Sequence, residues 1–222
     1  MHSVVTLLDV DNTLLDNDHV VADLMRFMDR ELGHERQHEY WEIFEALRRE
    51  LGYADYLGAL QRYRIKHPRD SNVLTVSQFL INYPFANRLF PGSLDVIELV
   101  RSWGPAVILS DGDVVFQPRK IERSGLLESV DRNILIYVHK ELELDDVEQR
   151  YPSERYVMVD DKLWLLHAMK ARWGRRLTTV WPKQGHYVTD PRVKTLAAPD
   201  VTIERIGEML KLTLDEVLHA GA

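Results

Sequence analysis

The chain of 222 residues contains no cysteine. That excludes a disulfide framework and thiol catalysis, and it fits a reducing cytosol. No stretch approaches the roughly 18 consecutive apolar residues of a membrane span. The opening Met1-His2-Ser3 carries neither the charged region nor the apolar run of a secretory leader. Cytoplasmic location and no membrane partner are therefore the expectation. Positive charge is also short: 28 Lys and Arg stand against 35 Asp and Glu, a net charge of −7. That speaks against nucleic acid as the main partner, because a phosphate backbone calls for a basic face. Internal repeats and low-complexity tracts are absent. The composition that is present, 45% apolar and 28% charged, suits one large folded domain or a domain carrying a substantial insertion.

Short apolar runs alternate with helical patterns along most of the chain. Val4 to Leu8 reads as a buried strand, as do Ala106 to Leu109, Asn133 to Val138, Tyr156 to Val159 and Leu177 to Trp181, with a weak sixth at Val201 to Ile203. Helices are expected at Leu94–Trp103, Gln117–Ser124, Glu141–Arg150, Leu163–Trp173 and Glu204–Leu218. This alternation implies βαβ units around a parallel sheet. Right-handed crossovers then bring every strand's carboxyl end to one rim, where α/β sheets bind ligands.

Residues 16 to 90 break the pattern. They show helical spacing throughout, with helices near 18–32, 35–51, 53–66 and from 76 to the residues before Pro84. The expected organisation is an α/β core of residues 1–15 and 91–222 with an all-helical cap of residues 16–90 inserted after the first strand.

Polar residues collect at the strand ends. Asp9 and Asp11 close the first strand, spaced to leave it on the same side. Taken alone they also suit helix capping. Two adjacent carboxylates repel, however, and call for a cation or a shared proton. Ser110 ends the second strand, Lys140 follows the third, and Asp160-Asp161 ends the fourth.

Asp9-Val10-Asp11-Asn12-Thr13-Leu14, Ser110 before Asp111-Gly112, Lys140, and Asp160-Asp161 after Val157-Met158-Val159 resemble, in order and spacing, the four motifs of the haloacid dehalogenase (HAD) superfamily of phosphohydrolases. The resemblance implies a Rossmann-like core with an inserted cap, and a Mg²⁺-dependent phosphatase acting on a small phosphorylated metabolite through an aspartyl-phosphate. Asp9 would be the nucleophile and Asp11 the general acid and base. Ser110 would bond a phosphoryl oxygen, and Lys140 would offset the carboxylates and hold the phosphoryl group. Asn12, Thr13, Asp111 and Gly112 are the expected substrate-binding positions. The metal would be held by Asp9, by the Asp11 carbonyl and by the Asp160-Asp161 pair, with Asp161 the first choice as direct ligand.

A lysine-proline pair is common at the third motif, where this chain has Lys140-Glu141. A phosphomutase of the same superfamily, or a binding protein on the same scaffold, are the alternatives. Hydrolytic dehalogenases of the superfamily lack a carboxylate at the position of Asp11. Monomer and homodimer are left open.

Other polar features read as solvated or structural. His34 and His38 have helical i, i+4 spacing but no third ligand. The basic run Arg62, Arg64, Lys66, His67 and Arg69 reads as a helix face. Lys120 falls inside a helix and suits the third motif less well than Lys140, and Lys162 reads as a solvated residue in a first helical turn. Trp41 and Trp164 are expected in the core, and the loop Gln184–Tyr187 receives no role.

Overall fold

A computed structural model describes residues 2–221. Six parallel strands form one sheet: β1 (His2–Leu8), β2 (Ala106–Asp111), β3 (Ile134–Tyr137), β4 (Ser153–Val159), β5 (Leu177–Pro182) and β6 (Val201–Ile203). Their order across the sheet is β3-β2-β1-β4-β5-β6. The chain therefore reverses direction of travel beside β1, the point where such sheets open a ligand crevice.

Ten α-helices occur among the described residues. α1 (Asn17–Leu32), α2 (His34–Leu51), α3 (Tyr56–Lys66) and α4 (Asn72–Asn82) all lie between β1 and β2. α5 (Ser93–Trp103) leads into β2, and α6 (Phe116–Arg123) and α7 (Leu126–Ser129) follow it. α8 (Leu144–Arg150), α9 (Leu163–Trp173) and α10 (Leu214–Ala220) complete the set.

β1 is buried from Val4 onward, and its side chains alternate between two apolar layers. Val4 and Leu8 face the larger layer, with Val96, Ile97, Phe116 and Ile121. Val5 and Leu7 face the other, with Val147, Leu163, Leu166 and Met169. Helices thus cover both faces, which is why the central strands read as continuous apolar runs.

The four inserted helices bury Val20, Leu24 and Met28 of α1 against Tyr40, Phe44 and Leu47 of α2, all in the larger layer. The chain enters and leaves the insertion side by side. Asp16 N donates to Arg88 O at 2.7 Å, Phe90 N donates to Leu14 O at 2.9 Å, and Ser93 Oγ donates to the same carbonyl at 2.8 Å.

Several boundaries differ from the sequence reading, for local reasons. α3 starts at Tyr56 because Asp55 caps it, accepting from Gly58 N at 2.7 Å. α4 starts at Asn72, whose N–H bonds Asp70 at 3.0 Å. The acidic helix begins at Leu144, since Lys140–Leu142 forms a separate 3₁₀ turn pinned by the bond from Lys140 N to Asp111 Oδ1, 2.8 Å. The expected terminal helix is split into a 3₁₀ turn, Ile206–Lys211, and α10. Thr213 and Glu216 form a capping box that starts α10 afresh. Among the described residues no helix is long and apolar enough to cross a membrane.

Candidate active site

Strand register decides which side chains meet. Leu8 lies opposite Ile108 on one side and Val159 on the other. One step further along, Asp9 comes level with the end of β4, and its N–H bonds Val159 O at 3.0 Å. Asp160 and Asp161 follow immediately. The three carboxylates Asp9, Asp160 and Asp161 are buried and can offer oxygens that all lie within 4.8 Å of one another.

Lys140 lies among them with no exposure to solvent. Its Nζ is 2.6 Å from Asp9 Oδ1 and 2.7 Å from Asp160 Oδ2, and it also donates to Leu109 O at 3.2 Å. Burial alone would push this ammonium toward neutrality, but the Asp160 and Asp9 carboxylates outweigh it and hold the group well above the usual lysine range.

The acids respond in the opposite sense. Burial, reinforced by Asp9 and only partly offset by Lys140, pushes Asp160 up to about 6. Burial and the charges of Asp160 and Asp9 push Asp161 well above the carboxylate range. Both Asp161 carboxylate oxygens are buried without a hydrogen-bond partner. A buried carboxylate in that condition is costly unless a cation meets it.

Thr13, fully buried, ties the first and fourth motifs together. Its Oγ1 donates to Asp9 Oδ2 at 3.1 Å and accepts from Asp161 N at 3.0 Å. Trp181 Nε1 donates to Asp161 O at 2.9 Å and fixes the same turn. Asn12 adopts a left-handed backbone with φ of 59°, which Asn tolerates better than most residues. Its side chain bonds both the carboxylate and the N–H of Asp18 at the start of α1. Gly185 packs so closely on Asn12 that a Cβ there would lie 2.6 Å from the Asn12 side chain.

Asp11 sits beside this cluster, facing a cavity of about 750 Å³ between the insertion and the strand ends. Its Oδ1 is 2.5 Å from Lys120 Nζ, which also bonds Asn17 Oδ1 at 3.0 Å. Asp111 lines the same cavity. Ser110 is buried, accepting from Gln117 Nε2 at 2.9 Å and donating to Asp111 O at 3.3 Å. Gly112 lets the loop pass Gln117, where a Cβ would come within 2.6 Å of that side chain.

A model of the haloacid dehalogenase-like hydrolases matches residues 5–171. The chain belongs to the haloacid dehalogenase-like hydrolases. A solved structure named as a haloacid dehalogenase-like hydrolase from Burkholderia xenovorans LB400 is 59% identical, with 96% of this chain and 100% of that one covered and a TM-score of 0.92. Two more distant structures share the fold. The HAD hydrolase YfnB from Bacillus subtilis, bound to magnesium, is 17% identical, with 95% and 98% covered and a TM-score of 0.61. The L-2-haloacid dehalogenase from Xanthobacter autotrophicus is 16% identical, with 96% and 98% covered and a TM-score of 0.63. No curated protein matches the chain in sequence.

For a haloacid dehalogenase-like hydrolase, three polar residues carry more than the sequence suggested. Lys120 is a buried partner of Asp11, although it sits within a helix. Its position was readable from phase: Phe116, Gln117, Lys120 and Ile121 share the buried face of α6. Lys162 lines the cavity and is not a solvated surface residue. Gln184 clamps the first-motif loop, donating to Asn12 O at 3.2 Å and Thr13 O at 3.1 Å while accepting from Ile206 N. No spacing rule marks that glutamine.

Trp41, Trp164 and Tyr187 also line the cavity. Trp41 begins an aromatic row in which Trp41, Phe44 and Tyr56 stack at successive centroid distances of 4.7 Å. His34 and His38 are exposed and each faces a carboxylate, Asp29 and Glu42, as a solvated helix face would. In the basic run, Arg62 pairs with Glu50, and Lys66 and His67 pair with Glu39.

Proposed function

We propose that the chain is a Mg²⁺-dependent phosphatase that hydrolyses a small phosphorylated metabolite through an aspartyl-phosphate on Asp9. The observation that carries this reading is the placement of two carboxylates in different settings. Asp9 is buried between Lys140 and Thr13, aligned and shielded as a nucleophile. Asp11 faces the cavity, where it can reach the oxygen of a departing alcohol. A dehalogenase reading leaves Asp11 without a task.

The residues fit a hard divalent cation. Asp161 supplies two buried carboxylate oxygens without partners, and the Asp9 and Asp160 oxygens are beside them. Asp9, the Asp11 carbonyl and Asp161 would hold the ion. When bound, it supplies positive charge that lets an anionic nucleophile approach an anionic ester.

In the first half-reaction Asp9 attacks phosphorus, the ester P–O bond breaks, and Asp11 gives its proton to the leaving oxygen. In the second, Asp11 takes a proton from water as the water oxygen attacks phosphorus, and Asp9 leaves as carboxylate. Thr13 and Lys140 fix Asp9 throughout. The insertion, residues 16–90, would act as a cap that keeps bulk water and bulky partners from the cavity.

The direct test is hydrolysis of p-nitrophenyl phosphate and a panel of metabolite phosphates with Mg²⁺ and with EDTA, beside a 2-haloacid as a comparison substrate. Metal-dependent release of phosphate is the expected result. Halide release without phosphatase activity would overturn the reading. Asp161→Asn is expected to raise the Mg²⁺ concentration for half-maximal activity by about 10-fold or more, since a metal centred on few carboxylates loses a principal one. A Mg²⁺ titration of activity checks it; an unchanged midpoint would move the ligand role to Asp160.

A further inference from the structure

The family pattern gives one lysine two duties, compensating the carboxylates and gripping the phosphoryl group. Here the geometry separates them. Lys140 Nζ donates to Asp9 Oδ1 and to Leu109 O and forms a buried ion pair with Asp160 Oδ2. Its side chain has 0% exposure, against 21% for Lys162. A ligand entering the cavity meets Lys162.

The Lys162 ammonium donates no hydrogen bond to any described residue, and the carboxylate oxygen nearest to it, Asp111 Oδ2, is 3.9 Å away. The backbone beneath it is rigid. Lys162 N donates to Asp160 Oδ1 at 2.7 Å, and Lys162 O accepts from Leu165 N at 2.9 Å at the start of α9. Tyr187 backs the ammonium, with its ring centroid 5.6 Å from Nζ. That ring is itself held edge-on by Trp164 and through its hydroxyl by Arg48.

The three donors of Lys162 face the cavity that Asp11 also lines and are free to receive an anionic oxygen brought there.

We propose that Lys162 is the cation that contacts the phosphoryl group, and that Lys140 is the buried counter-ion of Asp9 and Asp160. The proposal rests on the phosphatase reading of the site. In the ground state Lys162 would bond a non-bridging phosphoryl oxygen. It would bond more strongly as negative charge gathers on those oxygens in the transition state, so its loss lowers turnover as well as binding.

The test compares Lys162→Met and Lys162→Arg with the native chain in Mg²⁺. It uses turnover of p-nitrophenyl phosphate and calorimetric titration with inorganic phosphate and, separately, with Mg²⁺. Lys162→Met is expected to lower kcat/KM by about 10²–10³-fold, the scale of losing one preorganised donor to a developing oxyanion. It is expected to weaken phosphate binding by about 10-fold, the order of one charge-assisted hydrogen bond.

Mg²⁺ affinity should stay within about 3-fold, since Lys162 is not a ligand, and a thermal melt should show a folded protein near the native midpoint. Lys162→Arg should recover most of the lost phosphate affinity. Turnover and phosphate affinity both unchanged in Lys162→Met would overturn this assignment while leaving the phosphatase reading in place. A native chain that neither hydrolyses phosphate esters nor binds phosphate would overturn both.

Discussion

Asp9→Asn is expected to lower turnover of p-nitrophenyl phosphate by about 10⁴-fold or more, the scale of losing a catalytic nucleophile in other hydrolases. The lone pair of the amide nitrogen is delocalised into the carbonyl and cannot attack phosphorus, and the amide oxygen is far less basic than a carboxylate. The substitution changes almost no volume, so the site should stay packed.

It does disturb the bonding. Asp9 Oδ1 accepts from Lys140 and Oδ2 from Thr13, whereas an asparagine has one acceptor and one donor. One of the two partners then faces an N–H, at a cost of about 1–3 kcal/mol for the buried donor left unpaired. The expected signature is therefore lost activity with a folded protein of slightly lower melting temperature. Acid-quenched native protein mixed with substrate should carry a phosphorylated aspartate by mass spectrometry, and the variant should carry none. A variant that keeps native turnover would show that another residue attacks.

The strands, their parallel arrangement and the meeting of Asp9, Lys140 and Asp160 were legible because each depends on a short apolar run ending in a polar residue. Parallel topology fixes where such ends lie, so five short runs suffice to place them on one rim. The haloacid dehalogenase-like fold follows from the same signal. The burial of Lys120 could be read from the phase of α6, but its pairing with Asp11, and the roles of Lys162 and Gln184, were not legible because they depend on reach. Lys120 comes from the first helix after β2 and bonds Asp11 across the cavity wall. Lys162 looks like any lysine in a first helical turn until the packing of Tyr187 and Asp111 around it is known. Gln184 acts from an irregular loop that no period describes.

The helix boundaries shifted for a related reason. Side chains such as Asp55, Asp70 and Asp111 satisfy backbone donors locally and decide where a helix begins. Periodicity of apolar residues is blind to that choice.

The two lysines should also part company in stability. Lys140→Met is expected to destabilise the fold by about 3–5 kcal/mol, the usual cost of removing one partner from a buried ion pair. The reason is the residue left behind. Asp9 and Asp160 sit 2.6 and 2.7 Å from Nζ on the same ammonium, so both lose their counter-charge at once. Asp160 has no exposure through which water could replace it.

For a domain of this size such a loss lowers the melting temperature by roughly 6–20 °C, at about 2–4 °C per kcal/mol. Lys162→Met removes a charge that pairs with no carboxylate inside 3.5 Å and touches the cavity, so its midpoint should move little. Melting both variants in EDTA and again in Mg²⁺ sharpens the contrast. A cation bound among Asp9, Asp160 and Asp161 replaces part of the missing charge, and ligand linkage adds about 2.7 kcal/mol at a hundredfold excess over the dissociation constant. Lys140→Met should therefore regain part of its loss in Mg²⁺. If Lys140→Met melts at the native temperature in EDTA, Asp9 and Asp160 must be sharing a proton instead, and the lysine is not the charge that holds these two acids together.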